Sequence, residues 1–152
     1  MKKILFVGSF VLAFVVGAVH ADDKSDVQAV FDAIIAASNA RDMDEEEQHY
    51  SSEATEFGDQ GGALERLNFD GAREWIKNGG KWHAEYGKTD IKIHGTASVV
   101  TGYQKGKFIA PNGFSGEVMR RFTWVFEKQQ GAWKIVHRHH SPGVFIPAES
   151  EE

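Results

Sequence analysis

The sequence predicts an α+β domain, and three observations carry that expectation. Apolar residues recur at helical spacing early in the chain. Aromatic and β-branched residues crowd into long runs from Lys81 onward, and short polar connections separate those runs. The leading helix is the clearest element. In SDVQAVFDAIIAASNARD, Val27, Val30, Phe31, Ile34 and Ile35 form one apolar stripe that needs a core to cover it. Ser25, followed by Gln28 three residues later, reads as a capping box at its start.

The next stretch, MDEEEQHYSSEATEFGD, begins as an acidic helix and turns extended near Ala54 to Phe57. Its run Asp42 to Glu47 reads as a solvated helix face. Consecutive carboxylates do not supply the alternating oxygens and glycine turn of a calcium loop. QGGALERLNFDG reads as a loop, and DGAREWIKNGG as a short helix capped by Asp70 and ended by the glycines after Asn78. Four strand-like runs follow: KWHAEYGKTDIKIHG, TASVVTGYQKGKF, GEVMRRFTWVFEK and AWKIVHRHH. Connections as short as HGT and KQQGA imply an antiparallel meander, with the helices on one face.

The first 21 residues have the layout of a secretory signal peptide. A basic start at Lys2 and Lys3 precedes an apolar run from Ile4 to Val19, and Val19 and Ala21 are suited to a peptidase site. Cleavage after Ala21 leaves residues 22–152 as one domain, exported to the periplasm or medium and not stably held by the membrane. Loss of Lys2 and Lys3 takes the 17 basic residues to 15 against 22 acidic, and 15 − 22 = −7. That charge repels nucleic acid, which is not expected as a partner. The chain has no cysteine, so disulfides and thiolate chemistry are excluded.

The helix, the Tyr50 to Phe57 strand, the helix with a tryptophan and the closing W-K-I-V-H-x-H-x-S together resemble the nuclear transport factor 2-like superfamily. FTWVFEKQQGAWKIVHRHHS is the most specific part. The resemblance is to SnoaL-like members and to the association domain of calcium/calmodulin-dependent protein kinase II. It implies a cone-shaped, cystatin-like fold in which a strongly bent antiparallel sheet wraps the N-terminal helices. It also implies a pocket at the open end and a convex face that forms a homodimer. The superfamily includes isomerases, dehydratases and cyclases as well as domains without chemistry, so fold alone does not assign function.

Alternation along the last strand separates Trp133, Ile135, His137 and His139 from Lys134, Val136, Arg138 and His140. A hairpin at QQG that pairs Val125 with Ile135 puts Phe122, Trp124 and Phe126 on the side of Arg138 and His140. That side is assigned to the interior. The expected ligand-binding residues are therefore Tyr50, Trp82, Arg120, Trp124, Arg138 and His140, with Arg120 and Arg138 suited to a carboxylate. Arg138 and His140, at a pocket mouth, are expected to contribute little to folding. Val125, Ile135, Trp133, His137 and His139 fall on the convex, dimer-forming face.

A His-x-His pair needs a third converging ligand to hold a metal. Nothing in the spacing of His83, Glu85 or His94 provides one, so no metal or cofactor is expected. Candidates for acid–base chemistry are Asp59, Tyr50, Tyr86, Tyr103 and His140, none in a motif of fixed spacing. The favoured expectation is a small organic ligand held in an aromatic pocket with arginine and histidine at its mouth. The alternatives are a cofactor-free isomerase or dehydratase, and a homo-oligomeric assembly domain.

Overall fold

Helix α1 (Ala21–Ala40) buries the stripe expected of it: Val27, Phe31 and Ile34 are enclosed, and Val30 and Ile35 pack at the margin. The computed structural model describes residues 21–58 and 61–143. Residues 1–20 of the expected signal peptide and Asp59 lie outside them. The helix is already running at Ala21, so Ser25 sits inside it and not at its start. Near its other end the Asn39 side chain bonds both backbone groups of Ala84, at 2.9 and 2.7 Å, and ties the helix to the sheet.

Helix α2 (Met43–Glu47) is capped by Asp42, whose Oδ1 accepts from the Glu45 N–H at 3.1 Å. Strand β1 (Tyr50–Phe57) follows, then β2 (Glu65–Arg66), a short strand inside the expected loop. In α3 (Asp70–Lys77) the expected cap is displaced: Asp70 is the first helical residue, and Asn68 Oδ1 accepts its N–H. The four long strands are β3 (Lys81–His94), β4 (Ala97–Ile109), β5 (Ser115–Gln129) and β6 (Ala132–Pro142).

These strands form one curved, open sheet in the order β2-β1-β6-β5-β4-β3. The last four make the expected antiparallel meander, but β1 lies parallel to β6, so the sheet is mixed. A parallel neighbour cannot come from a hairpin; α3 and four strands intervene in the chain. At the β5–β6 turn, Gln130 and Gly131 both have positive φ (52° and 87°), the two-residue turn that suits strand twist.

Past the turn Phe126 pairs with Ile135, yet Val125 pairs with His137. Val136 is the extra residue of a β-bulge, and it resets the alternation. Trp133 and Ile135 therefore face inward with Phe126, at 3% and 0% exposure, which corrects their expected place on the convex face. The core lies between α1 and this inner face, where the Phe31 ring meets those of Trp124, Tyr86 and Phe122 at 5.1, 5.5 and 5.8 Å.

Candidate functional site

Cross-strand pairing arranges the open end of the inner face in rows. Tyr86, Gln104 and Arg120 form one row; Ala84, Gly106 and Val118 the next; Trp82, Phe108 and Gly116 the outermost. On the core side of the first row, Phe122 pairs with His140 and Trp124 with Arg138. A cavity of about 310 Å³ occupies this corner. Trp82, Arg120, Trp124, Arg138 and His140 line it, five of the six expected ligand-binding residues. Tyr50 does not. It stands behind Arg138, its ring packed edge-on against Phe69 at 5.0 Å.

Arg138 is the centre of the charged network. Its Nε donates to Glu56 Oε2 at 2.8 Å and its Nη1 to the Tyr50 hydroxyl at 3.2 Å. Tyr50 in turn donates to Glu46 Oε1 at 3.4 Å, and Arg138 Nη1 lies 4.0 Å from the same oxygen. Only 22% of the Arg138 side chain is exposed. The arginine is thus a structural member of the pocket wall, and these contacts argue against the expectation that its loss leaves folding nearly intact. Burial opposes its charge, but Tyr50, Glu56 and Glu46 outweigh that and raise its pKa above the ordinary arginine value.

Glu46 is the residue that sequence reasoning missed. The acidic run of α2 is not wholly solvated: Glu46 is buried at 5% exposure and lines the cavity. Burial raises its pKa above the ordinary carboxyl value, against the lowering effects of Arg138, Ser38 and Tyr50. A signal was present, because Glu46 lies three residues after the buried Met43, one helical turn along the same face. Glu56 and Gln104 also line the cavity without having been singled out. Gln104 donates to the Tyr86 hydroxyl at 2.5 Å and accepts from Arg120 Nη1 at 3.4 Å.

Tyr86 lines the cavity, and burial pushes its pKa up to about 12. His140 Nε2 accepts the Trp124 indole N–H at 3.3 Å, which places the proton of a neutral ring on Nδ1. Arg120 stacks over Trp82, 5.3 Å from the ring centre. Tyr103 is far from this chemistry in character: it is 47% exposed. His137 and His139 face the opposite side of the sheet, against Phe57 at 5.7 and 5.9 Å. Thr55 Oγ1 lies 2.9 Å from His137 Nδ1. Among the described residues no three histidine or carboxylate side chains converge as a metal site.

A buried carboxyl, a tyrosine hydroxyl, two guanidinium groups and an imidazole around one small cavity can bind a polar head group or move a proton. The SnoaL-like domain profile matches residues 27–146. The chain belongs to the SnoaL-like family. Solved structures agree on the fold. A nuclear transport factor 2-like superfamily protein from Salmonella enterica superposes with a TM-score of 0.70 at 18% identity, over 87% of this chain and 99% of that one. The association domain of C. elegans CaMKII gives 0.62 at 22% identity, over 79% and 95%. A Caulobacter vibrioides protein with a cystatin-like fold gives 0.66 at 13% identity, over 82% and 92%. No curated protein matches the chain by sequence.

Proposed function

We propose that this SnoaL-like domain binds a small organic molecule through a carboxylate or carbonyl head group placed in the inner cavity. The observation that carries the reading is the convergence of Arg120, Gln104 and His140 on one cavity walled by Trp82 and Trp124. Polar side chains outnumber apolar ones around the two tryptophans, which suits a head group more than an apolar body. Titrating short carboxylates such as propionate, followed by tryptophan fluorescence, tests it. Arg120→Gln should weaken binding about tenfold, as expected for a lost charge-assisted hydrogen bond of ~1.5 kcal/mol. Equal affinity in both proteins would sink the reading.

A second reading, acid–base catalysis, is favoured by Glu46, a buried carboxyl of raised pKa within reach of Tyr50. Deuterium exchange at the central carbon of acetylacetone, followed by NMR, tests it. Catalysed exchange that disappears in Glu46→Gln supports the enzyme; exchange at the buffer rate counts against it.

Two expectations complete the proposal. The protein is exported and cleaved between Ala21 and Asp22, which the intact mass of protein recovered from the periplasm or medium checks. It self-associates through the convex face, where Phe57 and Tyr103 are 39% and 47% exposed. Light scattering at micromolar concentration decides that point, with Phe57→Glu expected to shift the protein toward monomer.

A further inference from the structure

The rows of the sheet change chemistry within two steps. The row of Gln104 and Arg120 is polar; the next, Gly106 and Val118, and the outermost, Trp82 and Phe108, carry no polar side-chain atom except the indole N–H. Beyond them a second cleft of about 610 Å³ opens between the sheet and α3. Phe69, Trp75, Ile76 and Val118 contribute to its walls. Glu46, Trp82, Arg120 and Arg138 line both spaces, so the two are adjacent and share a wall.

The aromatic wall of the outer chamber is seated on glycine. A Cβ on Gly80 would fall 2.3 Å from the Trp75 ring, one on Gly106 2.2 Å from Trp82, and one on Gly116 2.9 Å from Phe108. Each ring therefore lies where a side chain would otherwise stand, pressed against backbone and clear of the cleft. Gly106 and Gly116 lie within strands, where glycine is unfavourable for folding. At the rim, Phe114 is 64% exposed with its ring 5.8 Å from Phe108, so the apolar surface continues outward. Apolar surface left open in this way marks an interaction site.

We propose that the ligand is amphipathic, with its carboxylate or carbonyl head in the inner chamber and an aryl-sized apolar body between Trp75, Trp82 and Phe108. The proposal rests on the reading of the inner chamber as a head-group site, and its test separates the two. Propionate and 3-phenylpropionate share a head and differ only in the body. The second acid should bind at least tenfold more tightly to the parent protein. Gly116→Val, which forces Phe108 off its seat, and Trp75→Ala, which opens the wall, should each cut that ratio severalfold while leaving propionate affinity within twofold.

The neutral dye N-phenyl-1-naphthylamine supplies a headless probe. Its fluorescence should rise with the parent and fall in both variants. Propionate binding with no gain from the phenyl group and no dye signal overturns the apolar chamber and leaves the head-group site standing. Dye binding without affinity for either acid overturns the head-group reading and the amphipathic ligand with it. Two variants guard against a folding defect in either one.

Discussion

The closed and open ends of the inner sheet face solve different problems. At the closed end the Phe126 and Ile135 side chains are fully enclosed and carry no polar atom. At the open end Arg138, Glu46 and Glu56 are also withdrawn from water, yet each is held by a specific neighbour. Burial at the first end is a direct source of stability. At the second it has a desolvation cost that only pairing offsets. Enclosure thus means support in one place, and partial enclosure of charge means poised chemistry in the other.

Substitution separates the two ends. The largest loss is expected for Phe126→Ala, which empties a site at 0% exposure and should cost ~3–5 kcal/mol by urea unfolding. Arg138→Ala should cost about 2–3 kcal/mol, somewhat less than a fully enclosed pair because the side chain is partly wet. The double change Arg138→Met with Glu56→Met should cost less than Arg138→Ala alone. A larger loss in the double variant would show that the pair stabilises the fold outright. Gly131→Ala, at a φ of 87° in the hairpin, should cost about 1 kcal/mol. It should leave the cavity untouched, so a change in ligand affinity would break the separation of the two ends.

The subtlest effect is a slope. The folded-state pKa of Glu46 lies above its ordinary value of 4.5, so the native protein binds the proton more tightly than the unfolded chain does. Stability from this group is present below that ordinary value and is lost as pH rises through the raised folded value. Glu46→Gln removes the loss. Its stability relative to the parent should climb with pH across that window, as read by melting temperature at several pH values. A constant difference between the proteins would place Glu46 in an environment that does not perturb it.

The strands and the hairpin were readable because side-chain alternation and turn chemistry are local. Trp124, Arg138 and His140 were legible as inner-face residues because they sit on the inner phase of that alternation. The bulge at Val136 was not readable: a run of alternating residues looks the same with or without one extra, so Trp133 and Ile135 were assigned to the wrong face while Arg138 was assigned to the right one. The parallel pairing of β1 with β6 depends on contacts between distant parts of the chain. Glu46 hid among five other acidic or apolar neighbours whose composition suggested solvent, although its spacing from Met43 did not. The glycine seats of Trp75, Trp82 and Phe108 need either the pairing register or tertiary packing, and the sequence states neither.

One extra residue in β6 has a consequence for how this protein can change over generations. Val136 divides the strand into a foundation, Trp133 and Ile135, and a working surface, Arg138 and His140. Selection for a new ligand can therefore act on two positions beyond the bulge, provided that Glu56 and Glu46 keep a partner in place of Arg138.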